Sequence, residues 1–398
     1  MMQRIFQRTR HEVQLLRSHL GPSKSQATAE VLLQARSYAA VPEDLRPAFG
    51  FCVQQVRQYD YLNYVWVAQT SKELRPALFA LRAFNIETAM VADSVRSKEA
   101  VVGQIRFQWW RDAVRAAFEG QPPNHPVALA LAHVLRSSPP AAPAAAGTAG
   151  SSSAAKEDSS SNSGEERCGS GCGSSIHRQD NDDDADAASS SGNSGSRSLA
   201  ASSRYSRYSF KRIIDCREAD FLDPQPPLDL QALEQYAEGT AAQLLYLQLA
   251  AAGIKHRDAD HAASHLGRAA GITTLLRGTA AHAAARRCYL PVDLCAEARV
   301  SQEDVYGGVV SEGLRDVVHK VASLAKGHLD EARRLAPRLP PGAAGVMQPA
   351  VAVGRYLEAL EAANFNPYDA RLMREHGGGS APLSYVLAVK WHHLRGTY

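Results

Sequence analysis

The feature that most constrains this chain is a tract from Ser137 to Ser209. It begins SSPPAAPAAAGTAGSSSAA and continues through GCGSSIHRQDNDDDADAASSSGNSGSRS. Large apolar side chains are nearly absent from it, so burial cannot offset the entropy of ordering it, and disorder is expected. A structureless run of this length either separates two domains or is inserted into a surface loop of one. Both flanks carry the same helical patterning, which favours insertion; the ends of a long loop can stay close at modest entropic cost. The reading is therefore a single helical domain in two parts, 31–136 and 210–398, around a disordered insert at 137–209.

The flanks repeat apolar residues at three- and four-residue spacing, with no strand-like alternation. KELRPALFALRAFNIETAMVAD predicts a helix capped by Thr70 or Ser71, with Pro76 in its first turns and Leu78, Phe79, Leu81, Ala83, Ile86, Ala89 and Met90 as core candidates. Further helices are expected over 99–118, from His125, from Tyr205 to Phe221, and over 230–252 behind an Asp229 cap. Others are expected from Asp258 or Asp260 to Arg277, over 312–335 and 351–363, and over 383–394. In the 258–277 helix the inner positions are small: Ala262, Ala263, Gly267, Ala269, Ala270, Gly271 and Thr273. Such a stripe permits close approach of a second helix or leaves room for a cavity. The class is all-α around one core.

Charge and cysteine usage exclude several functions. The formal net charge of the 398 residues is only +3, without the basic stripe that nucleic acid binding requires. Six cysteines spread over this length form no disulfide framework, which suits a reducing compartment. Cys168 and Cys172 lie in the low-complexity tract with no second pair at metal-binding spacing. His261 and His265 are four apart, as on a zinc-binding helix, but lack a metalloprotease glutamate and an evident third ligand, so they read as satisfied or surface histidines. No apolar run is long enough to span a bilayer. The segment 1–30 is basic and amphipathic: Arg4, Arg8, Arg10, Arg17 and Lys24 stand against Glu12, as in an organelle transit peptide, with an ordinary surface helix as the alternative.

Several patches resemble the squalene/phytoene synthase family. Arg82 precedes the place of that family's first acidic motif. Phe107, Trp109, Trp110, Arg111 and Asp112 resemble its WWRD-like element; Ile214, Asp215 and Asp220 fit its region before the central helices, and Tyr236 and Gly239 the helix after that. The most specific match is LGRAAGITTLLRGTAAHAAARRCYLP, from Leu266 to Pro291, where Thr273, Leu276, Arg277, Arg287, Tyr289, Leu290 and Pro291 carry the resemblance. It implies an isoprenoid-synthase-like helical fold. The family's enzymes join prenyl diphosphates, and their two acidic motifs hold the Mg²⁺ ions that grip diphosphate. That chemistry needs hard oxygen ligands and compensation for the charge of the leaving group.

The required carboxylates are missing. The first motif positions are Asn85, Ile86 and Ala89; Glu87 is displaced by one place and has Met90 and Val91, not carboxylates, at i+3 and i+4. In the second motif Gly278 follows Arg277 and His282 stands four further on, with no Asp or Glu from Leu266 to Pro291. Neither a catalytic residue, a metal nor a cofactor is expected. Arg277, Arg286, Arg287 and Tyr289 could form an anion or lipid-headgroup pocket, or serve in structural ion pairs. Trp109 and Trp110 read as core or interface anchors, and Glu87 as a polar residue hydrogen-bonded in the former cavity.

A noncatalytic branch of the same family, which serves the assembly of mitochondrial respiratory complex I (NADH:ubiquinone oxidoreductase), resembles the chain more closely. The matching phrases are FALRAFNIETAMVADS, IRFQWWRDAV, PPNHPVALAL, LEQYAEGTAAQLLYL and DHAASHLGRAAGI, with the terminal Tyr398. This resemblance implies a non-enzymatic protein on the matrix side of the mitochondrial inner membrane, peripherally attached, with complex I subunits or other assembly factors as partners and a lipid as a further candidate ligand. The alternatives are an active prenyl-diphosphate synthase and a lipid- or prenyl-binding module without turnover.

Overall fold

The structure, a computed structural model, describes residues 41–94, 100–137, 204–372 and 382–398. The N-terminal basic segment, most of the 137–209 tract, and Cys168 and Cys172 lie outside the described residues. All regular elements among the described residues are helical. Before the tract they are α1 (Arg46–Tyr59), α2 (Tyr61–Val67), α3 (Arg75–Ala89), the single turn α4 (Val91–Ser94), α5 (Ala100–Glu119) and α6 (Pro126–Arg136). After it come α7 (Arg207–Leu222), α8 (Leu230–Ala237), a π-helical stretch Glu238–Ala242, α9 (Gln243–Ala251), α10 (Arg257–Arg277), α11 (Thr279–Ala284), α12 (Val292–Glu297) and α13 (Gln302–Gly307). The chain closes with α14 (Glu312–Arg334), α15 (Ala343–Val346), α16 (Pro349–Ala362) and α17 (Leu383–Arg395).

Several boundaries follow from local chemistry. Asp229 caps α8 by accepting from the Ala232 amide at 2.7 Å, as its position before an apolar run suggests. Neither Thr70 nor Ser71 caps α3 through its side chain. Thr70 donates to the Val67 carbonyl at 2.7 Å, the Ser71 carbonyl accepts from Leu74 and Arg75, and α3 begins only at Arg75, with Pro76 in its first turn. The His256 ring, rather than Asp258 or Asp260, accepts at the start of α10. Two residues of the low-complexity tract's far end are already part of the helical domain: Tyr205 is buried and Ser206 caps α7.

Elements from both sides of the tract share one core. α5 lies along α7, and α3 touches α7 and α9. The first apolar cluster gathers Phe49, Trp66, Phe79, Phe84, Phe107 and Phe210 around α3. A second is built along α10, α14 and α16 from residues such as Leu266, Ile272, Leu314, Val318 and Tyr356. α9 joins them: Leu244 and Leu247 belong to the first cluster, Leu245 and Leu249 to the second. A helix packed on both sides is apolar on most of its surface, as LLYLQLAA is, with Gln248 the buried polar exception.

The small-residue stripe of α10 resolves as close approach. A Cβ at Gly267 would lie 2.2 Å from the Ala242 Cα, and one at Gly271 would lie 2.6 Å from the Ala237 Cβ. The two glycines let α10 press its backbone against the π-helical stretch and the last residue of α8. There Glu238 accepts from Tyr246 at 2.7 Å, Ser264 at 2.9 Å and Arg268 at 3.0 Å, tying α9 and α10 to the same carboxylate.

Candidate functional site: a rebuilt helix pair

Asn85, on α3, is the first-motif position that retains a polar side chain, and it is engaged. The Arg217 guanidinium from α7 donates to the Asn85 backbone carbonyl at 2.5 Å and to its Oδ1 at 2.7 Å, and it also bonds the Thr88 hydroxyl. Tyr236 lies within hydrogen-bonding reach of the same guanidinium. Burial pulls the Arg217 pKa below its ordinary value, against the opposing pull of Tyr236, Cys216 and Asp220. A protein-borne cation thus sits on the motif that, in a magnesium-dependent relative, would carry the cation's ligands. Sequence reasoning missed Arg217. Its spacing from Asp220, three residues on the same helix, was the available signal.

Asp220 is the next link. It accepts from the Tyr289 hydroxyl at 2.8 Å and pairs with Arg287 at 2.8 Å, while Arg287 also donates to the Asp220 backbone carbonyl at 2.8 Å. Burial raises the Asp220 pKa, and Arg287 and Tyr289 oppose the rise. Arg287 also tempers the raised pKa of Asp93. Tyr236 is pushed up to about 12, first by burial and then by the Asp220 charge.

At the second motif, glycine and histidine have exchanged space. A Cβ on Gly278 would lie 2.5 Å from His282 Cε1, so the imidazole occupies the room that a side chain at 278 would need. The His282 ring stands edge-on to Tyr289, centroids 4.7 Å apart. Burial, then the Arg287 charge, lowers its pKa to about 4, leaving it neutral at pH 7. A small cavity on Tyr289, lined also by Leu233, Ile272, Leu276, Thr279 and Leu290, measures about 10 Å³. That is at the lower limit for one water molecule.

The remaining candidates disperse. Arg82 is buried against Asp60 at 3.0 Å and lies over the Trp66 ring. Asp60 accepts from Asn63, which accepts from the Trp66 indole, so Arg82 closes a structural network. Among the described residues the Glu87 carboxylate has no hydrogen bond; burial raises its pKa, and its charge adds to the burial that raises the pKa of Cys52 on α1. Ile86 is buried, whereas Ala89 is exposed rather than in the core. The three arginines do not converge. Arg277 is half-buried near Tyr356 and Tyr385, whose hydroxyls sense its charge. Arg286 pairs with Glu303 at the exposed edge, and Arg287 and Tyr289 serve Asp220.

Arg111 reaches from α5 to Asp215 at 2.7 Å and also to Glu218, locking α5 to α7. Trp110 is buried against Phe84, while Trp109 is 38% exposed beside an open groove of about 520 Å³ that Val101, Ile105 and Glu218 also line. His261 and His265 belong to a hydrogen-bonded chain. Glu234 pairs with His328 Nε2, His328 Nδ1 lies 2.9 Å from His265 Nδ1, and His265 Nε2 lies 3.2 Å from His261 Nε2. With the carboxylate accepting, each ring donates toward it in turn. Among the described residues no group of three or more His, Cys, Asp or Glu side chains is arranged to hold a metal ion.

Magnesium does not fit this pair of helices. The positions that would supply hard anionic oxygens hold Asn85, Ile86, Ala89, Gly278 and His282, and two guanidinium groups, of Arg217 and Arg287, occupy the polar centre.

The squalene/phytoene synthase family model matches residues 56–149 and 194–376. Complex I assembly factor 6 of Bos taurus is 32% identical over 326 residues, covering 82% of this chain and 78% of its own. The Homo sapiens protein is 30% identical over the same shares, and the Dictyostelium discoideum homolog 26%. Among solved structures, squalene synthase HpnC from Alicyclobacillus acidocaldarius shares the fold with a TM-score of 0.59 at 16% identity, covering 83% of this chain and 100% of its own. A dehydrosqualene synthase shares it with a TM-score of 0.61 at 15% identity, covering 89% and 99%. These likenesses identify the all-α architecture as isoprenoid-synthase-like. The chain belongs to the squalene/phytoene synthase family, and within it to the group of the complex I assembly factor 6 proteins.

Proposed function

We propose that the chain is a non-enzymatic assembly factor for mitochondrial respiratory complex I. It acts on the matrix side of the inner membrane, peripherally attached, and holds a complex I subunit or another assembly factor against its helical surface. Two supports are independent of each other. The curated relatives are named for that role. The observation that carries the non-enzymatic half is the Arg217 guanidinium bonded to Asn85, where bound Mg²⁺ would need carboxylates. The fit for a headgroup is poorer than for a scaffold, because Arg287 and Tyr289 already serve Asp220 and an anion there would have to compete.

The test is genetic and biochemical. Cells lacking the protein should show less assembled complex I on native gels, restored by the wild-type chain and by Asn85→Ala. A tagged chain should recover complex I subunits or assembly partners from mitochondria. Normal complex I in the null cells, with no such partner recovered, would sink the reading. Turnover of a prenyl diphosphate by the purified chain with Mg²⁺ would overturn its non-enzymatic half.

A further inference from the structure

The C-terminal helix α17 carries its large apolar residues on the outside. Leu383, Leu387, Trp391 and Leu394 are 72, 60, 54 and 71% exposed. At 100° per residue these four fall within about 80° of arc, one continuous face. The opposite face is fastened down. Tyr385 and Val389 are buried, and the Tyr385 hydroxyl donates to the Leu62 carbonyl at 3.0 Å. Just beyond the helix, Tyr398 is buried and donates to the Ala332 carbonyl at 2.7 Å. The helix therefore holds its apolar face outward on a rigid support.

The charged side chains of α17 itself have one sign, with no Asp or Glu between Glu375 and Tyr398; the carboxylate of Asp60 lies toward the inward face, near Tyr385. Lys390 flanks the apolar arc on one side and Arg395 on the other, with the Arg395 guanidinium over the Trp391 ring at 4.0 Å. From the neighbouring helix α16, Arg355 donates to Ser384 at 2.9 Å, and Arg333 of α14 lies close enough to lower the His392 pKa. An apolar arc bearing tryptophan, bordered by cations, is the pattern of a helix lying in a membrane interface. No described helix is long and apolar enough to cross a membrane, so contact through this face would be parallel to the surface.

We propose that the outward face of α17 is a membrane-docking surface that seats Leu383, Leu387, Trp391 and Leu394 among the headgroups of an anionic bilayer. The inference deepens the peripheral attachment proposed above and rests on that reading. Charge complementarity favours a lipid surface over a second copy, whose own α17 face would bring like charges together.

Sedimentation of the purified full chain with vesicles tests it, using phosphatidylcholine alone and phosphatidylcholine with phosphatidylglycerol. The wild-type chain should bind the anionic vesicles more strongly, and less so as salt rises. Leu387→Glu with Trp391→Glu should weaken binding by at least about tenfold, since two apolar insertions are lost. Lys390→Glu with Arg395→Glu should abolish the preference for phosphatidylglycerol. These residues are exposed, and an unchanged melting temperature would show that the variants stay folded. If the wild-type chain binds and the variants bind equally, peripheral attachment stands and the role of α17 falls. If the wild-type chain binds neither vesicle, both fall. A dimer in sedimentation velocity that Leu387→Glu dissolves would assign the face to a second copy and overturn the proposal.

Discussion

At the scale of single residues, the site is a set of charge substitutions that complete one another. Arg217 needs acceptors, and Asn85 and Thr88 supply neutral ones. Asn85→Asp would give the guanidinium a carboxylate instead. The expected outcome is an unchanged or higher melting temperature that does not respond to Mg²⁺. A Mg²⁺-dependent rise would show the new carboxylate capturing metal rather than Arg217. Removing the cation is the costly direction: Arg217→Ala leaves polar atoms of Asn85, Thr88 and Tyr236 without their donor, at about 1–3 kcal/mol by denaturant unfolding. His282 makes a pH prediction. Its folded pKa, about 4, lies below its ordinary 6.5, so between those values the unfolded chain binds the proton and the folded chain does not. Stability should fall as pH drops through that window, by on the order of 2–3 kcal/mol, and melting of His282→Asn should show a shallower acid slope.

At the scale of elements, the central contact is the seating of α10 on the π-helical stretch. A methyl at Gly267 meets backbone, which cannot rotate away as a side chain can. Gly267→Ala should therefore destabilise by at least about 1–3 kcal/mol despite alanine's better helix propensity, measured as a lowered midpoint in urea. A neutral result would mean that α10 can slide. This part was legible beforehand only as two options. The stripe of small residues in GRAAGIT is compatible with contact or with a void, because small side chains say how near a neighbour can come but not whether one does. The π-helical stretch had no such signal, since EGTAA continues the helical period on either side.

At the scale of the whole molecule, α9 belongs to both apolar clusters, so they should lose structure together. Tryptophan fluorescence is weighted toward the first cluster, through Trp66 and Trp110, whereas far-ultraviolet circular dichroism reports all helices. The two should give coincident unfolding transitions in denaturant, and Leu247→Ala should shift both by about 2–5 kcal/mol. Separated transitions would show that α9 does not couple the clusters. The pairing of α5 with α7 across the low-complexity tract was foreshadowed by the helical period on both flanks. The dispersal of the arginines was not: Arg277, Arg286 and Arg287 are close in sequence, but the end of α10, the α11 turn and the segment after it aim them at different neighbours.

By itself the sequence determined the all-α class, because hydrophobic period and turn chemistry are local properties. It also determined the loss of the magnesium ligands, because a missing carboxylate needs no coordinates to be seen. Only the tertiary structure decided what replaced them. Arg217, Asp220 and Arg287 reach their partners through contacts between helices remote in the chain, and the sign of the charge at the site depends on which side chains meet there. The same holds for α17: its composition permits burial on either face, and only packing decided that the leucines and Trp391 face outward.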